Sequence, residues 1–341
     1  MKVKTPGGIR DYKTVWMQDS KIYLIDQRAL PHSFEILESD RFWKTTAAIK
    51  EMVVRGAPAI GATAAFGMSQ AANEYKGNDI KGFFKHMALA EELMKLTRPT
   101  AYDLFYAVDY IKGKIKNAPS VNEARKIAST ESQNYARQSE ETCRKIGIAG
   151  EKLIKNNYNI LTHCNAGALG CVDYGTAIAP ITFAHRKGKK IHVFVDETRP
   201  RLQGAKLTAW ELNQEDIPYS IIADNAAGYF MMKGEVDIVI VGADRIARNG
   251  DVFNKIGTYE KAVLAKENGI PFFVAAPSTT FDLKMKKGDL RIIEERPEEE
   301  VLCIDGISIA PIGSKARNPS FDMTPAKYIT GVITEKGIKK Y

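Results

Sequence analysis

The sequence contains few cysteines, and it lacks any long apolar run. Its four cysteines among 341 residues are too few for a disulfide framework and do not show the paired spacing of a zinc finger, so we expect reduced thiols. No apolar stretch approaches the roughly 20 residues needed to cross a bilayer, and the first residues lack the apolar core of a signal peptide. We therefore expect a cytoplasmic protein that contacts no membrane.

Two glycine motifs of nucleotide-binding proteins are also missing. No G-x-G-x-x-G follows an apolar run, which argues against a dinucleotide cofactor. No G-x-x-x-x-G-K-[ST] occurs either, which argues against a P-loop nucleotidase. Because an α/β sequence without these motifs is typical of self-contained chemistry, we expect no cofactor and no metal.

The charge of the chain is basic but dispersed. Formal net charge is +8, from 49 Lys and Arg against 41 Asp and Glu. The only basic clusters, 185–190 and 284–288, have the pattern of solvated loops, which argues against a nucleic-acid partner. A small anionic substrate needs only two or three well-placed arginines, so such a substrate fits this composition.

The second half of the chain predicts a doubly wound, mostly parallel α/β domain. Five nearly continuous apolar runs are typical of strands buried on both faces of a sheet: 157–163, 190–197, 218–224, 236–244 and 270–277. Stretches with helical spacing lie between them, for example 201–214 and 258–269. Strict alternation of strand and helix indicates a Rossmann-like architecture.

The first half predicts a smaller, mainly helical domain with a few short strands in 23–38. Five helical patterns follow those strands, at about 41–54, 58–75, 80–96, 100–117 and 121–155. With 44% hydrophobic residues, a chain of this length buries enough core for roughly two domains. We place the boundary near residue 130, which gives domains at 1–130 and 131–341.

Reactive and acidic side chains follow the expected strands, where ligands of open α/β sheets bind. Cys164 ends the first strand and precedes a glycine-containing loop that leads to a helix start. It is either a small buried hydrophobe, a reactive thiol activated by free amide groups, or a metal ligand with His163. Asp244 follows the fourth strand and is either a structural cap, a partner of Arg245, or a desolvated general acid.

Arginines near two expected helix starts are candidates for binding phosphate. Arg55 precedes Gly56, Ala57 and a helix start, and glycine permits close approach of a ligand to the backbone. Arg98 stands before a second helix start. Guanidinium groups beside helix amino termini suit phosphate, although each arginine fits a surface salt bridge equally well. Three further polar residues precede helix starts: Gln203, Asn254 and Lys255.

Six long motifs occur in order along the chain: MVVRGAPAIG, TRPTAYDLF, THCNAGALG, DETRPRLQGAKLTAWEL, GADRIARNGDVFNKIGTYEKA and NPSFDMTPAKYIT. Together these segments resemble the methylthioribose-1-phosphate isomerases, and the resemblance covers about residues 5–338. This family belongs with the regulatory subunits of translation initiation factor 2B and the ribose-1,5-bisphosphate isomerases. Motifs of this length in this order are specific for the family and less so for the substrate.

The resemblance implies that Cys164 and Asp244 are the catalytic pair of an aldose-ketose isomerase of methionine salvage. It also implies a homodimer without a cofactor that binds a small phosphorylated sugar. Substrate contacts carried over from the family are Arg55, Gly56, Ala57, Arg98, Gln203, Asn254 and Lys255. Two alternatives stay open: an isomerase of ribose 1,5-bisphosphate or 5-deoxyribose 1-phosphate, and a non-catalytic binding protein of the initiation-factor type.

Overall fold

The structure of the protein is a computed structural model that describes residues 1–99 and 101–340. The chain divides into two compact units, a helical unit of Met1–Arg144 with Ala168–Gly175 and an α/β unit of Lys145–Gly167 with Thr176–Tyr341. The boundary that we expected near residue 130 falls inside a long helix, Val121–Glu151, and the residues of this helix up to Arg144 belong to the helical unit.

The helical unit contains short strands followed by helices. Its strands are β1 (Lys2–Thr5), β2 (Gly8–Asp11), β3 (Val15–Gln18), β4 (Lys21–Ile25) and β5 (Ile36–Ser39). Its helices are α1 (Phe42–Lys50), α2 (Ala57–Glu74), α3 (Ile80–Thr97), α4 (Tyr102–Ile115) and α5 (Val121–Glu151). The helical patterns in the sequence are confirmed, except that Thr100, the first residue of the expected helix 100–117, lies outside the described residues.

Helix α2 is the centre of this unit. It is buried on nearly all of its surface from Ala59 to Ala72, which is typical of a helix enclosed by its neighbours. Phe66 on α2 belongs to the same core as Phe83 and Met94 on α3. The start of α2, where Arg55 and Gly56 lie, is therefore fixed by packing along the whole helix.

The α/β unit contains many short strands connected by helices. Its strands are β6 (Tyr158–Thr162), β7 (Ile191–Asp196), β8 (Tyr219–Ile222), β9 (Ile238–Val241), β10 (Arg245–Ala247), β11 (Val252–Lys255), β12 (Phe272–Ala275), β13 (Phe281–Asp282), β14 (Cys303–Ile304), β15 (Ile307–Ser308), β16 (Phe321–Thr324), β17 (Gly331–Thr334) and β18 (Gly337–Lys340). Its helices are α6 (Ile178–Arg186), α7 (Ala209–Gln214), α8 (Ala227–Met232), α9 (Thr258–Glu267) and α10 (Glu299–Leu302).

The main sheet of the α/β unit has the order β18-β17-β12-β9-β6-β7-β8 within the described residues. Every neighbouring pair is parallel except β17 with β18, so the expected doubly wound, mostly parallel sheet is confirmed. Successive strand residues enter different cores, as Ile160 and Leu161 do, because side chains alternate across a strand. Because these strands are buried on both faces of the sheet, their sequences are continuous apolar runs.

A second sheet, of order β13-β10-β11-β16, was not expected from the sequence. Its strands are only two to four residues long, which leaves too little alternation for a sequence pattern to detect. Strands β10 and β11 pair as an antiparallel hairpin directly after the loop that contains Asp244. Among the described residues, none of the helices has the length and apolar character required to cross a membrane.

Candidate active site

Cys164 and Asp244 leave the main sheet from neighbouring strands at the same edge. The parallel pairing of β6 with β9 sets Ile160 opposite Ile238 and Leu161 opposite Val239. Thr162 Oγ1 donates to the Ile240 carbonyl at 2.8 Å, so the two strand ends stay in register. The chain then leaves β6 at Cys164 and β9 at the loop of residues 242–244.

The two loops after these strands touch each other. A Cβ placed on Gly242 would lie 2.7 Å from the Cβ of Ala166, which is closer than carbon atoms pack, so glycine is required at this contact. Asp244 is half-buried, and its N–H donates to the Phe253 carbonyl at 2.9 Å. Because Arg245 pairs with Phe253, Asp244 and Asn254 flank that pair at the same end of the hairpin.

Cys164 has an unusual backbone conformation that two threonine hydroxyls hold. Its φ is 63°, in the left-handed region that non-glycine residues rarely occupy. Its N–H donates to Thr198 Oγ1 at 2.8 Å, and its carbonyl accepts from Thr208 Oγ1 at 2.6 Å. The thiol is half-buried and forms no disulfide, so it is partly accessible at the sheet edge.

Gln203 lies in the segment that follows β7, next to a close backbone contact. Its side chain is buried, and its Oε1 has no hydrogen-bond partner among the described residues. A Cβ on the following residue, Gly204, would lie 1.7 Å from the Asp196 carbonyl oxygen. Gly204 therefore lets this segment pack directly against the end of β7, and it begins a π-helical turn, Gly204–Thr208, that leads into α7.

Asn254 and Lys255 end β11 and make intramolecular contacts. The Asn254 side chain is buried, and its Nδ2 donates to Thr258 Oγ1 at 3.0 Å. Lys255 Nζ donates to the Ser320 carbonyl at 2.8 Å and lies 4.8 Å from the centroid of the Phe321 ring.

The remaining expected contacts lie in the helical unit. Arg55 is half-buried just before α2, Gly56 caps that helix with a φ of 89°, and Ala57 is its first residue. A Cβ on Gly56 would lie 2.4 Å from the backbone of Gly170, so the helix start is closely packed. Arg98 caps the carboxyl end of α3, and α4 begins at Tyr102. Helix α4 therefore begins four residues after Arg98 in the sequence.

A buried charged cluster beneath the sheet edge was not expected from the sequence. His163 Nδ1 lies 2.8 Å from Asp196 Oδ2, and His163 Nε2 lies 2.8 Å from the Ile256 carbonyl oxygen. Lys261 Nζ is 3.6 Å from Asp196 Oδ2, and the three side chains are at most 1% exposed. Burial raises the pKa of the Asp196 carboxyl, while His163 and Lys261 oppose that rise.

One group of side chains comes close to the spacing of metal ligands within the described residues. Ligand atoms of His163, Asp196 and Asp224 lie within 4.8 Å of one another. Both oxygens of Asp224 accept backbone N–H groups, from Thr198 and Arg199, and both ring nitrogens of His163 face protein oxygens. The contacts of this group therefore fix loops, and Cys164, which was the alternative metal ligand beside His163, is not part of the group.

A further carboxyl group beside the hairpin was also missed. Asp322 on β16 pairs with Asn254, and its carboxylate accepts the N–H of Gly257 at 2.7 Å and that of Tyr259 at 3.1 Å. Burial raises the pKa of Asp322 to about 6, because the loss of hydration outweighs these two hydrogen bonds. In the sequence, only its place in the motif NPSFDMTPAKYIT indicated that Asp322 could lie near the site.

The site residues thus form two groups, one in each unit. In the α/β unit, the Cys164 and Asp244 loops meet, and Asn254 and Lys255 follow on the hairpin beside Asp244. In the helical unit, Arg55, Gly56 and Ala57 are contiguous at the start of α2. The threonines that hold Cys164 were missed as site residues, since Thr208 contacts it across 44 positions of sequence.

Comparisons with known proteins give two kinds of relative. The sequence matches the Initiation factor 2 subunit family over residues 53–340. It is 52% identical over 317 residues to a methylthioribose-1-phosphate isomerase of Acetivibrio thermocellus, covering 92% of this chain and 93% of the relative. A protein of the same name from Geotalea uraniireducens is 49% identical over 329 residues, covering 96% of this chain and 95% of the relative.

Solved structures show the same fold. The 5-methylthioribose 1-phosphate isomerase of Pyrococcus horikoshii OT3 superposes with a TM-score of 0.89 at 43% identity, covering 96% of this chain and 92% of that chain. A structure described as translation initiation factor eIF-2B, subunit delta, from A. fulgidus gives a TM-score of 0.85 at 41% identity, covering 96% of both chains.

Proposed function

Because the chain belongs to the initiation factor 2 subunit family and to the methylthioribose-1-phosphate isomerases, we propose that it isomerises 5-methylthioribose 1-phosphate to 5-methylthioribulose 1-phosphate. The reaction is a step of methionine salvage. The observation that carries the proposal is the contact between the two loops that contain Cys164 and Asp244, which follow adjacent parallel strands. A thiol and a carboxyl group at one sheet edge can act on a single sugar.

The phosphate on the anomeric oxygen locks the sugar as a ring, so the reaction begins with ring opening. In the proposed mechanism Asp244 donates a proton to the ring oxygen as the bond from that oxygen to C1 breaks. A hydrogen then moves from C2 to C1, and the C2 hydroxyl becomes the ketone as it gives its proton to the Asp244 carboxylate, which restores the acid. The isomerisation is redox-neutral within the substrate, since C1 is reduced as C2 is oxidised, and it needs no external electron carrier.

Cys164 is proposed to assist the hydrogen transfer in one of two ways. It either relays a proton from C2 to C1 through an enediol, or it assists a direct hydride shift. Turnover in heavy water distinguishes these routes, because only the relayed proton exchanges with solvent. Deuterium at C1 of the product indicates the proton route, and its absence indicates the hydride shift.

The other expected residues are proposed to bind the substrate. Arg55, Gly56 and Ala57 offer a guanidinium and a helix amino terminus, which suit a phosphate. Arg98, Gln203, Asn254 and Lys255 are proposed to complete the contacts to phosphate and hydroxyl groups. The buried Oε1 of Gln203 supports this assignment, because a buried amide oxygen without a protein partner is suited to accept a sugar hydroxyl.

The test is an assay of ketose formation with three substrates: 5-methylthioribose 1-phosphate, ribose 1,5-bisphosphate and 5-deoxyribose 1-phosphate. We expect the highest kcat/KM with the methylthio sugar. C164S and D244N should each lower kcat by about a hundredfold or more if these groups transfer protons. A higher kcat/KM with another sugar would show that the proposed substrate is wrong. Full activity of both variants would show that Cys164 and Asp244 take no part in the chemistry.

A non-catalytic role of the initiation-factor type is the second candidate, and the similarity to the A. fulgidus structure supports it. The same assay separates the two, since a binding protein forms no ketose from any of the three sugars. We also propose a homodimer that works without a metal. Light scattering should then give twice the 37.9 kDa chain mass, and activity should persist after dialysis against EDTA.

A further inference from the structure

We propose that Thr198 and Thr208 are positioning residues that hold Cys164 in its reactive orientation. The inference rests on the proposed catalytic role of Cys164. Neither threonine touches the reacting atoms in this proposal, and both act through the backbone of Cys164.

The two hydroxyl groups bind the two peptide groups that flank the Cys164 Cα. Thr198 Oγ1 accepts the Cys164 N–H, and Thr208 Oγ1 donates to the Cys164 carbonyl. These contacts fix both backbone dihedrals of Cys164, and with them the direction in which its Cβ and thiol leave the chain. The threonines come from the two ends of the segment that connects β7 to α7.

Each threonine hydroxyl also forms a hydrogen bond with a second protein group. Thr198 Oγ1 accepts from Cys164, so its own proton is directed to the Asp196 carbonyl at 2.9 Å. Thr208 Oγ1 gives its proton to Cys164 and accepts from Asn165 Nδ2 at 3.2 Å. Both threonine side chains are completely buried. Because water does not reach these groups, no solvent molecule can replace a lost hydroxyl without rearrangement.

The backbone of Cys164 needs such support. A non-glycine residue in the left-handed region is strained and persists only when its surroundings enforce that conformation. Thr198 itself has a φ of 65°, and its N–H donates to Asp224 Oδ1 at 2.7 Å. Thr198, which holds the Cys164 N–H, is therefore itself held in place by Asp224. Loss of a hydroxyl would let Cys164 return toward an ordinary φ and would turn its thiol.

The test uses T198V and T208V, which remove the hydroxyl and keep nearly the same side-chain shape, with T198S and T208S to restore it. The matched control is T334V. Thr334 is also buried, and its Oγ1 likewise donates to a carbonyl, of Gly337, and accepts an N–H, of Lys336. It lies on β17, three strands from β6 in the sheet order.

Two readouts separate positioning from general loss of stability. The first is kcat against KM for ketose formation. The second is the rate at which iodoacetamide alkylates Cys164, divided by the rate for Cys303, measured by mass spectrometry on the same sample. Cys303 is a free, half-buried thiol in the same unit and serves as the internal reference.

We expect T198V and T208V to lower kcat about tenfold to a hundredfold, as small displacements of reacting groups do, with KM changed less than about threefold. The ratio of alkylation rates should change by about threefold or more, since thiol reactivity follows its surroundings. The serine variants should recover most of both values. T334V should leave both unchanged.

A folded T198V with wild-type kcat and a wild-type alkylation ratio would overturn the proposal. If T198V does not fold, T208V decides by the same two readouts. Failure of the proposed function is a separate result: if C164S turns over as fast as the wild type, Cys164 is not catalytic. The alkylation ratio then still decides whether the two hydroxyl groups position its thiol.

Discussion

His163 and Asp196 form a hydrogen bond of 2.8 Å between Nδ1 and Oδ2, with both side chains essentially inaccessible to water. His163 Nε2 must donate to the Ile256 carbonyl, because a carbonyl oxygen only accepts. One further proton therefore lies between Nδ1 and Oδ2. The pair connects the end of β6 with that of β7, and it reaches the loop before α9.

Removal of the Asp196 carboxyl group should destabilise the protein strongly. In D196A, the ring of His163 loses its buried acceptor and Lys261 loses one of its two carboxylates. We expect a loss of about 3–5 kcal/mol in the free energy of unfolding, as when one partner of a buried pair is deleted. Urea denaturation measures this change.

The control is D289N, which alters an exposed carboxyl group that pairs with Arg291. Exposed pairs contribute little, so we expect its unfolding curve to overlay that of the wild type. A D196A protein as stable as D289N would show that the buried pair does not stabilise the fold.

Gly204 should not tolerate alanine, because the added Cβ would overlap the Asp196 carbonyl oxygen. G204A must move the segment that contains Gln203 and Thr208. We therefore expect a free energy of unfolding that is lower by about 1–3 kcal/mol, and a lower kcat.

G113A is the contrasting variant. Gly113 lies within α4 with no atom near its would-be Cβ, so alanine there should stabilise by about 0.5–1 kcal/mol. Equal effects of the two changes would contradict the packing argument.

The positions of strands and helices were predictable because their signals are local. The sequence pattern placed β6 within 157–163 and α9 within 258–269, and the structure has them at Tyr158–Thr162 and Thr258–Glu267. Burial of β6 on both faces produces the continuous apolar run that identified it. The resemblance to the methylthioribose-1-phosphate isomerases is likewise confirmed, since long motifs in a fixed order are strong evidence of a family.

Contacts between distant parts of the chain were not predictable. The hairpin of β10 and β11 joins Asp244 to Asn254 through strands too short to show a period. Thr208 looks like an ordinary helix residue in the sequence, and only the fold brings its hydroxyl to the Cys164 carbonyl. Asp196 follows an apolar run, where an aspartate commonly caps a helix, whereas in the structure its side chain contacts those of His163 and Lys261.

Asp322 should make stability depend on pH between about 4 and 6. Its pKa is about 6 in the folded protein and 3.8 ordinarily, so the folded state holds a proton that the unfolded state has released in this range. Its contribution to stability is therefore complete below about pH 4 and is lost as the pH rises through 6, a change on the order of 3 kcal/mol.

D322N tests this relation, because asparagine keeps an acceptor for the N–H groups of Gly257 and Tyr259 and cannot titrate. Melting temperatures of both proteins are measured from pH 4 to pH 7. The melting temperature of D322N relative to the wild type should rise with pH across this window. A difference that stays constant with pH would mean that Asp322 has the same pKa in both states.

Arg55 should contribute to substrate affinity more than to the chemical step. Arg55 directly precedes Gly56, the cap of α2, where backbone N–H groups favour an anion, and a phosphate held there is not altered by the isomerisation. R55A should therefore raise KM about tenfold to a hundredfold and change kcat less than about threefold, since the lost contact acts equally in the ground and transition states. R41A serves as the control, because Arg41 is an exposed arginine that directly precedes the start of α1. Initial rates across a range of sugar phosphate concentrations give both constants. A fall in kcat at unchanged KM would instead place Arg55 at the reacting centre.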